Sequence, residues 1–222
     1  MKKINTYILL ITFLFSGYLS AQNVEFNRRN FRDDVEGFRN AVAEIDKGVP
    51  FFEQGSTAIF EVKDPGLNFQ KALLHFEKAQ EFNPNDALNN FRIGVCHFHS
   101  SSPYKAIPFI KKAAELDASC NPFLYYYLGG VQHLEHNFEE AVASYKKFED
   151  SYRKSDDFSK FVSLRRRQAG YAQKYISSPV RCWVDNIEVL NTEFDEIAPT
   201  ITMDGSELIF SSNRPNNNQP NA

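Results

Sequence analysis

The chain has 222 residues, and its 25 basic against 28 acidic side chains leave a net charge of −3. That is too near neutrality for a nucleic-acid binder, whose phosphate contacts need a concentrated basic surface. A 42% hydrophobic share with 24% charged residues excludes wholesale disorder, and 14% aromatics with only 10 Gly and 10 Pro predict packed helices.

In chain order, the first 21 residues read as an export leader. Lys2 and Lys3 supply the positive end, Ile4 to Phe15 are apolar but for Asn5, Thr6 and Thr12, and Leu19-Ser20-Ala21 offers a small residue before a cut. A retained anchor is the alternative, disfavoured because the apolar run is short for a bilayer span. The first cysteine after the cut is Cys96, so lipid attachment at a new N-terminal cysteine is not expected. The mature chain is expected to be periplasmic, outer-membrane association being compatible, with no integral membrane span once the leader is removed. Three cysteines permit one bridge and leave one thiol over. Cys96 reads as a small buried residue in an amphipathic helix, and a bridge between Cys120 and Cys182 stays open.

A helical pattern runs from Phe31 through Phe38, Ala41, Ile45 and Phe52. Gly55 to Asn68, with its Asp64-Pro65-Gly66 turn signal, predicts an inserted loop after this long first helix. Self-similarity follows. Ala72, Phe76 and Ala79 recur as Ala106, Ile110 and Ala113, and again as Ala141, Tyr145 and Phe148, at steps of 34 and 35 residues. Ile93-Gly94 and Leu128-Gly129 repeat in the same register. Glycine and alanine remove bulk where helices cross, and the large residues fill the space beside them. The pattern resembles the tetratricopeptide repeat, in which helix pairs stack because one pair cannot bury both apolar faces. Asn90, His97 and Gln132 depart from that family's bulky choices, and its closing proline is present only as Pro84. Asn83 to Asp86 and Asp117 to Pro122 are the expected unit boundaries.

From Asp156-Asp157, the positions Phe158, Phe161, Leu164, Gln168, Tyr171, Ala172 and Tyr175 predict a capping helix, with Arg165-Arg166-Arg167 mostly in solvent. Beyond Pro179 the helical period stops. Arg181 to Val184, Ile187 to Leu190, Thr200 to Thr202 and Leu208 to Ser211 predict short strands, the last two joined by an Asp204-Gly205 hairpin turn. The run Leu190-Asn191-Thr192-Glu193-Phe194-Asp195-Glu196, then Ala198-Pro199-Thr200-Ile201 and Asp204 to Pro215, resembles the opening of a WD40-like β-propeller of the TolB kind. The fold class expected is therefore mainly α. Residues 22–178 would form an α-solenoid of about three helix pairs plus a cap, 179–215 the incomplete first blade of a propeller, and 216–222 a disordered tail. In this order the parts resemble envelope proteins of Bacteroidetes that continue into a full propeller and commonly an OmpA-like peptidoglycan-binding domain, a subset of which serves type IX secretion and gliding. The resemblance implies that this chain is the N-terminal part of a longer protein, and that any contact with peptidoglycan would go through a domain outside it.

No phosphate loop, nucleophile elbow or zinc-protease signature occurs. His133 and His136 lack further ligands at metal spacing. Cys96 and His97, as neighbours on a helix, point about 100° apart and read as packing residues. No catalytic, metal or cofactor residue is assigned, and no cofactor is expected. The candidate site is a surface: Leu88, Phe91, Val95, Phe98, His99, Phe123, Tyr126 and His133 lie off the packing face of the first helices, where stacked pairs present their concave side. Packing on the neighbouring repeat is the alternative role for them. The function expected is a non-enzymatic periplasmic scaffold binding other envelope proteins or a peptide segment. A propeller-associated hydrolase of the tricorn kind, with its catalytic part elsewhere, and a periplasmic holdase are the rival readings.

Overall fold

Asp34 starts the first long helix by accepting a hydrogen bond from the Gly37 backbone N–H at 2.8 Å, a side-chain cap that satisfies one otherwise orphaned donor. The computed structural model describes residues 22–215 apart from Val62 and Val184, so the leader and the 216–222 tail fall outside the described residues. Seven helices follow in order: α1 (Val35–Phe60), α2 (Gly66–Phe82), α3 (Ala87–Phe98), α4 (Ala106–Leu116), α5 (Leu124–Leu134), α6 (Phe138–Ser151) and α7 (Asp157–Ser177). Two strands, β1 (Glu196–Ile201) and β2 (Leu208–Ser212), and two short 3-10 turns, Arg28–Asn30 and Pro103–Lys105, complete the described elements. The chain divides into two units after Ser178. Among the described residues no helix is long and apolar enough to cross a membrane.

In the helical unit α1 packs on α2, α3 on α4 and α5 on α6, and each pair leans on the next through α2–α3, α4–α5 and α6–α7. This is the expected solenoid of three helix pairs plus a cap. Its spacing comes from glycine. A Cβ on Gly94 would lie 2.5 Å from Ile110 Cδ1, and one on Gly129 would lie 2.8 Å from the Tyr145 ring. The turns repeat as well: Asp86, Asn121 and Asp156, 35 residues apart, each accept a backbone N–H at a helix start. Asp156 and Ser159 form a reciprocal capping box at the start of α7. Between α2 and α3, Gln80 Nε2 donates to Asn90 Oδ1 at 3.0 Å and Asn89 Nδ2 donates to Gln80 Oε1 at 2.9 Å, so the buried amides are bonded to one another.

Three expectations change. First, Gly55 to Phe60 is helical and only residues 61–65 connect α1 to α2. Gly55 is not a breaker here: a Cβ on it would lie 2.8 Å from the Phe69 ring, and Gly48, seven residues earlier on the same face, meets Phe76 in the same way. Second, α7 buries Val162 and Ala169, while Phe161, Leu164, Tyr171 and Tyr175 are exposed. The small residues take the side facing α6, where helices approach closely, and leave the large ones outside. Arg166 is held by Glu149 at 2.8 Å while Arg165 and Arg167 face solvent. Third, Arg181 to Trp183 and Ile187 to Leu190 are not strands. A β-prone run needs a hydrogen-bonded neighbour, and Leu190 instead closes a turn, donating its N–H to the Ile187 carbonyl at 2.9 Å.

The C-terminal unit is one antiparallel hairpin whose register runs from Glu196 opposite Ser212 to Ile201 opposite Leu208, with an irregularity between Ile197 and Thr200. That irregularity holds Ala198 at φ 53° next to Pro199. Gly205, at φ 73°, occupies the left-handed position its turn requires. All three cysteines are free thiols: Cys96 buried, Cys120 half-buried, Cys182 exposed.

A second non-glycine residue, besides Ala198, takes left-handed backbone. His136 sits at φ 64° just past the end of α5, where glycine costs nothing. His136→Gly is expected to stabilise the chain by about 0.5–1 kcal/mol, read as an upward shift of the urea midpoint at unchanged slope.

Candidate functional site

The first helix of the first pair is more than twice as long as its counterparts, 26 residues against 12 in α3 and 11 in α5. Its last two turns therefore overhang the neighbouring first helices. The Phe60 ring at its end lies 6.3 Å from Phe123, which precedes α5, and 5.3 Å from Phe158 of α7. Beneath this overhang is a cleft of about 200 Å³, to which all four first helices contribute. Phe52, Ser56, Ile59 and Phe60 come from α1, Phe91 and Val95 from α3, Tyr126 and Tyr127 from α5 and Phe158 from α7, with Asn121 and Phe123 from the turn before α5.

Three of the polar side chains of the cleft, Ser56, Asn121 and Tyr127, are engaged within the protein. Ser56 Oγ donates to the Phe52 carbonyl at 2.8 Å, and Asn121 Oδ1 accepts the Phe123 N–H at 2.9 Å. The Tyr127 hydroxyl shares a 3.1 Å hydrogen bond with His99 Nε2. What remains open is aromatic and aliphatic surface. Rings meet edge-on, Tyr126 with Phe158 at 5.2 Å and Phe91 with Tyr127 at 5.7 Å, which fixes the walls before any ligand arrives. An apolar cavity of about 150 Å³ holds a benzene-sized guest, so this cleft is sized for one leucine- or phenylalanine-like group. Burying such a group is worth roughly 1.5–3 kcal/mol.

Of the eight candidate surface residues, Phe91, Val95, Phe123 and Tyr126 line this cleft. The other four lie elsewhere. Leu88 belongs to a separate depression of about 450 Å³ beside Arg92, Asp86 and Asp117. The Phe98 ring covers Gly130, where a Cβ would come within 2.7 Å, and packs edge-on against Tyr127. His99 stacks on Phe69 and bonds Tyr127 from behind. His133 and His136 flank Phe138 and serve its packing. The sequence reading missed the α1 overhang and Phe158. Phe52, Ile59 and Phe60 carry a helical spacing that continues through Gly55, and that spacing was the available signal.

Burial acts on the thiols and one imidazole of the helical unit outside the cleft. Burial pushes the Cys96 thiol well up, away from thiolate, and holds Cys120 up at about 12. His97 is displaced downward by burial and stacks on Phe109. Among the described residues no group of three His, Cys, Asp or Glu side chains is placed to hold a metal ion.

Burial also keeps His99 neutral, pushing its pKa down from the ordinary value of about 6.5 to about 4. Between those values the unfolded chain binds a proton that the folded chain refuses, so stability is expected to fall as pH drops from about 6.5 toward about 4. His97 and His133 are shifted in the same direction by burial. Carboxylates with lowered values, such as Glu44 at about 2 beside His75 and Lys47, lose their contribution only at more acid pH. The urea midpoint should therefore drop between about pH 7 and about pH 5, and the drop should shrink in His99→Gln. An unchanged wild-type midpoint would contradict the buried neutral imidazole.

The helical unit is a stack of helix pairs with one aromatic cleft enclosed by its first helices. No protein-family model matches the sequence, and no curated protein matches it. Among solved structures the chain is similar to the TPR domain of Arabidopsis OM64, over 56% of this chain and 98% of that one, with 17% identical residues and a TM-score of 0.41. So distant a likeness carries no argument about fold or partners, and the architecture rests on the helix packing itself.

Proposed function

We propose that the chain is a non-enzymatic interaction scaffold of the bacterial cell envelope that holds a protein partner by seating one of its apolar side chains in the aromatic cleft. The observation that carries this is the cleft: aromatic rings contributed by four helices and a volume suited to one side chain. Location outside the inner membrane is supported by the leader-like residues 1–21, and membership of a Bacteroidetes assembly of the type IX secretion or gliding kind by the order of repeat, cap and hairpin in the sequence. A confined cleft favours a defined partner over the unselective grip of a holdase.

The test is photo-crosslinking in the source cells with a photoreactive amino acid at Ile59. A discrete adduct in the envelope fraction, lost when Ser56→Trp fills the cleft, is expected. Ser56 is half-buried and its hydroxyl bonds only its own helix, so that substitution spares the fold. A smear of adducts, or an adduct that Ser56→Trp leaves intact, would contradict the reading.

A further inference from the structure

The outer face of α7 has the layout of a coiled-coil seam. The two inner first helices each pack against two second helices, their own and the preceding one: α3 against α2 and α4, α5 against α4 and α6. α7 packs on α6 and, among the described helices, has no second helix of its own. Its free stripe is Phe161, Leu164, Gln168, Tyr171 and Tyr175, spaced 3, 4, 3 and 4 residues apart. That is an a/d series over two heptads, and its four apolar members are 38% to 66% exposed. Leu164 stands 35 residues after Gly129 and 70 after Gly94, the positions on which Tyr145 and Ile110 press. A leucine there rules out the close approach used inside the stack and suits the wider spacing of two helices joined by side-chain interdigitation.

Charge then selects among partners. Lys160, Arg167 and Lys174 fall seven residues apart, all exposed, on one flank of the stripe, which is the g position of the heptad. On the other flank the e positions are Arg165 and Ala172. In a parallel self-pair the basic g row would meet Arg165, and in an antiparallel self-pair the two g rows would meet each other. Both arrangements set like charges face to face, which disfavours a second copy. The stripe is also narrow, two positions in seven, where a helix lying on a lipid surface needs a broad apolar face.

We infer that α7 is a docking helix for an amphipathic helix of another protein whose own a/d seam is flanked by Glu or Asp. The partner helix covers Phe161, Leu164, Tyr171 and Tyr175, and its acidic flank pairs with Lys160, Arg167 and Lys174. None of these side chains lines the aromatic cleft, whose wall they adjoin only through Phe161 beside Phe158, and the substitutions below leave both rings in place.

The probes are two designed helical peptides of about three heptads with Leu and Ile at a and d, one carrying Glu and the other Lys at every e and g. Fluorescence anisotropy against the full chain should show the Glu peptide binding at least about tenfold more tightly than the Lys peptide, with the preference shrinking as salt screens it. The triple variant Lys160→Glu, Arg167→Glu, Lys174→Glu should invert the preference, and Leu164→Glu should abolish binding of both. All four positions are exposed, and circular dichroism checks that the helices persist. Equal affinity for the two peptides, no binding of either, a dimer of the chain in sedimentation velocity, or binding to phosphatidylglycerol vesicles without binding to the Glu peptide would each overturn the inference.

Discussion

Gly94→Leu is expected to destabilise the helical unit by roughly 3 kcal/mol or more, enough to lower Tm by roughly 6–12 °C in a unit of this size. The new Cβ alone would lie 2.5 and 2.6 Å from two carbons of Ile110 and 3.2 Å from its backbone nitrogen. A side-chain tip can move; the backbone of α4 cannot without separating the pair. Even Gly94→Ala should destabilise, although alanine is the better helix former by about 1 kcal/mol. Gly170 in α7 is the control. A Cβ there meets only Val142 Cγ2 at 4.0 Å, so Gly170→Ala should stabilise by about 0.5–1 kcal/mol. Thermal melts of the three variants read the signs directly. If Gly94→Ala and Gly170→Ala shift Tm equally, close approach does not set the spacing of the pairs.

Phe148→Ala is expected to cost about 3–5 kcal/mol, as for other large-to-small changes in a core. Phe148 is 1% exposed and lies among Phe123, Tyr126, Tyr152 and Phe158, with ring centroids between 5.1 and 6.0 Å away. Those neighbours come from α5, α7 and the turns beside them, so one ring joins the third pair to the cap and backs the cleft floor. Urea unfolding should show a lower midpoint, and the slope should change as well if the cap comes loose before the rest. A cost below about 1 kcal/mol would mean that the aromatic cluster collapses onto the space left behind.

The helical stack was legible in the sequence because its physical cause is periodic. Glycine at 94 and 129 and alanine at 72, 106 and 141 repeat where helices cross, and the buried rings and aliphatics repeat beside them. The α1 overhang was hidden because Gly55 serves the same close-approach role as Gly94, yet next to Asp64-Pro65-Gly66 it reads as part of a loop. Half of the candidate surface was misplaced for a related reason. Phe98, His99 and His133 do lie off the pair interface, but neighbouring repeats and the turn beside Phe138 take them up. The inner face of α7 was missed because periodicity finds the most apolar stripe, whereas packing on α6 selects the smallest residues, Val162 and Ala169. The strands expected from Arg181 and from Ile187 are absent at 181–183 and 187–190 because β propensity takes effect only against a partner strand.

The central claim is that the aromatic cleft receives an apolar side chain, and methyl NMR of the full chain titrated with N-acetyl-phenylalanine amide tests it most directly. Shifts confined to Ile59 and Val95, saturable and absent in Ser56→Trp, are the predicted result. Shifts scattered over surface methyls, or unchanged by Ser56→Trp, would contradict it.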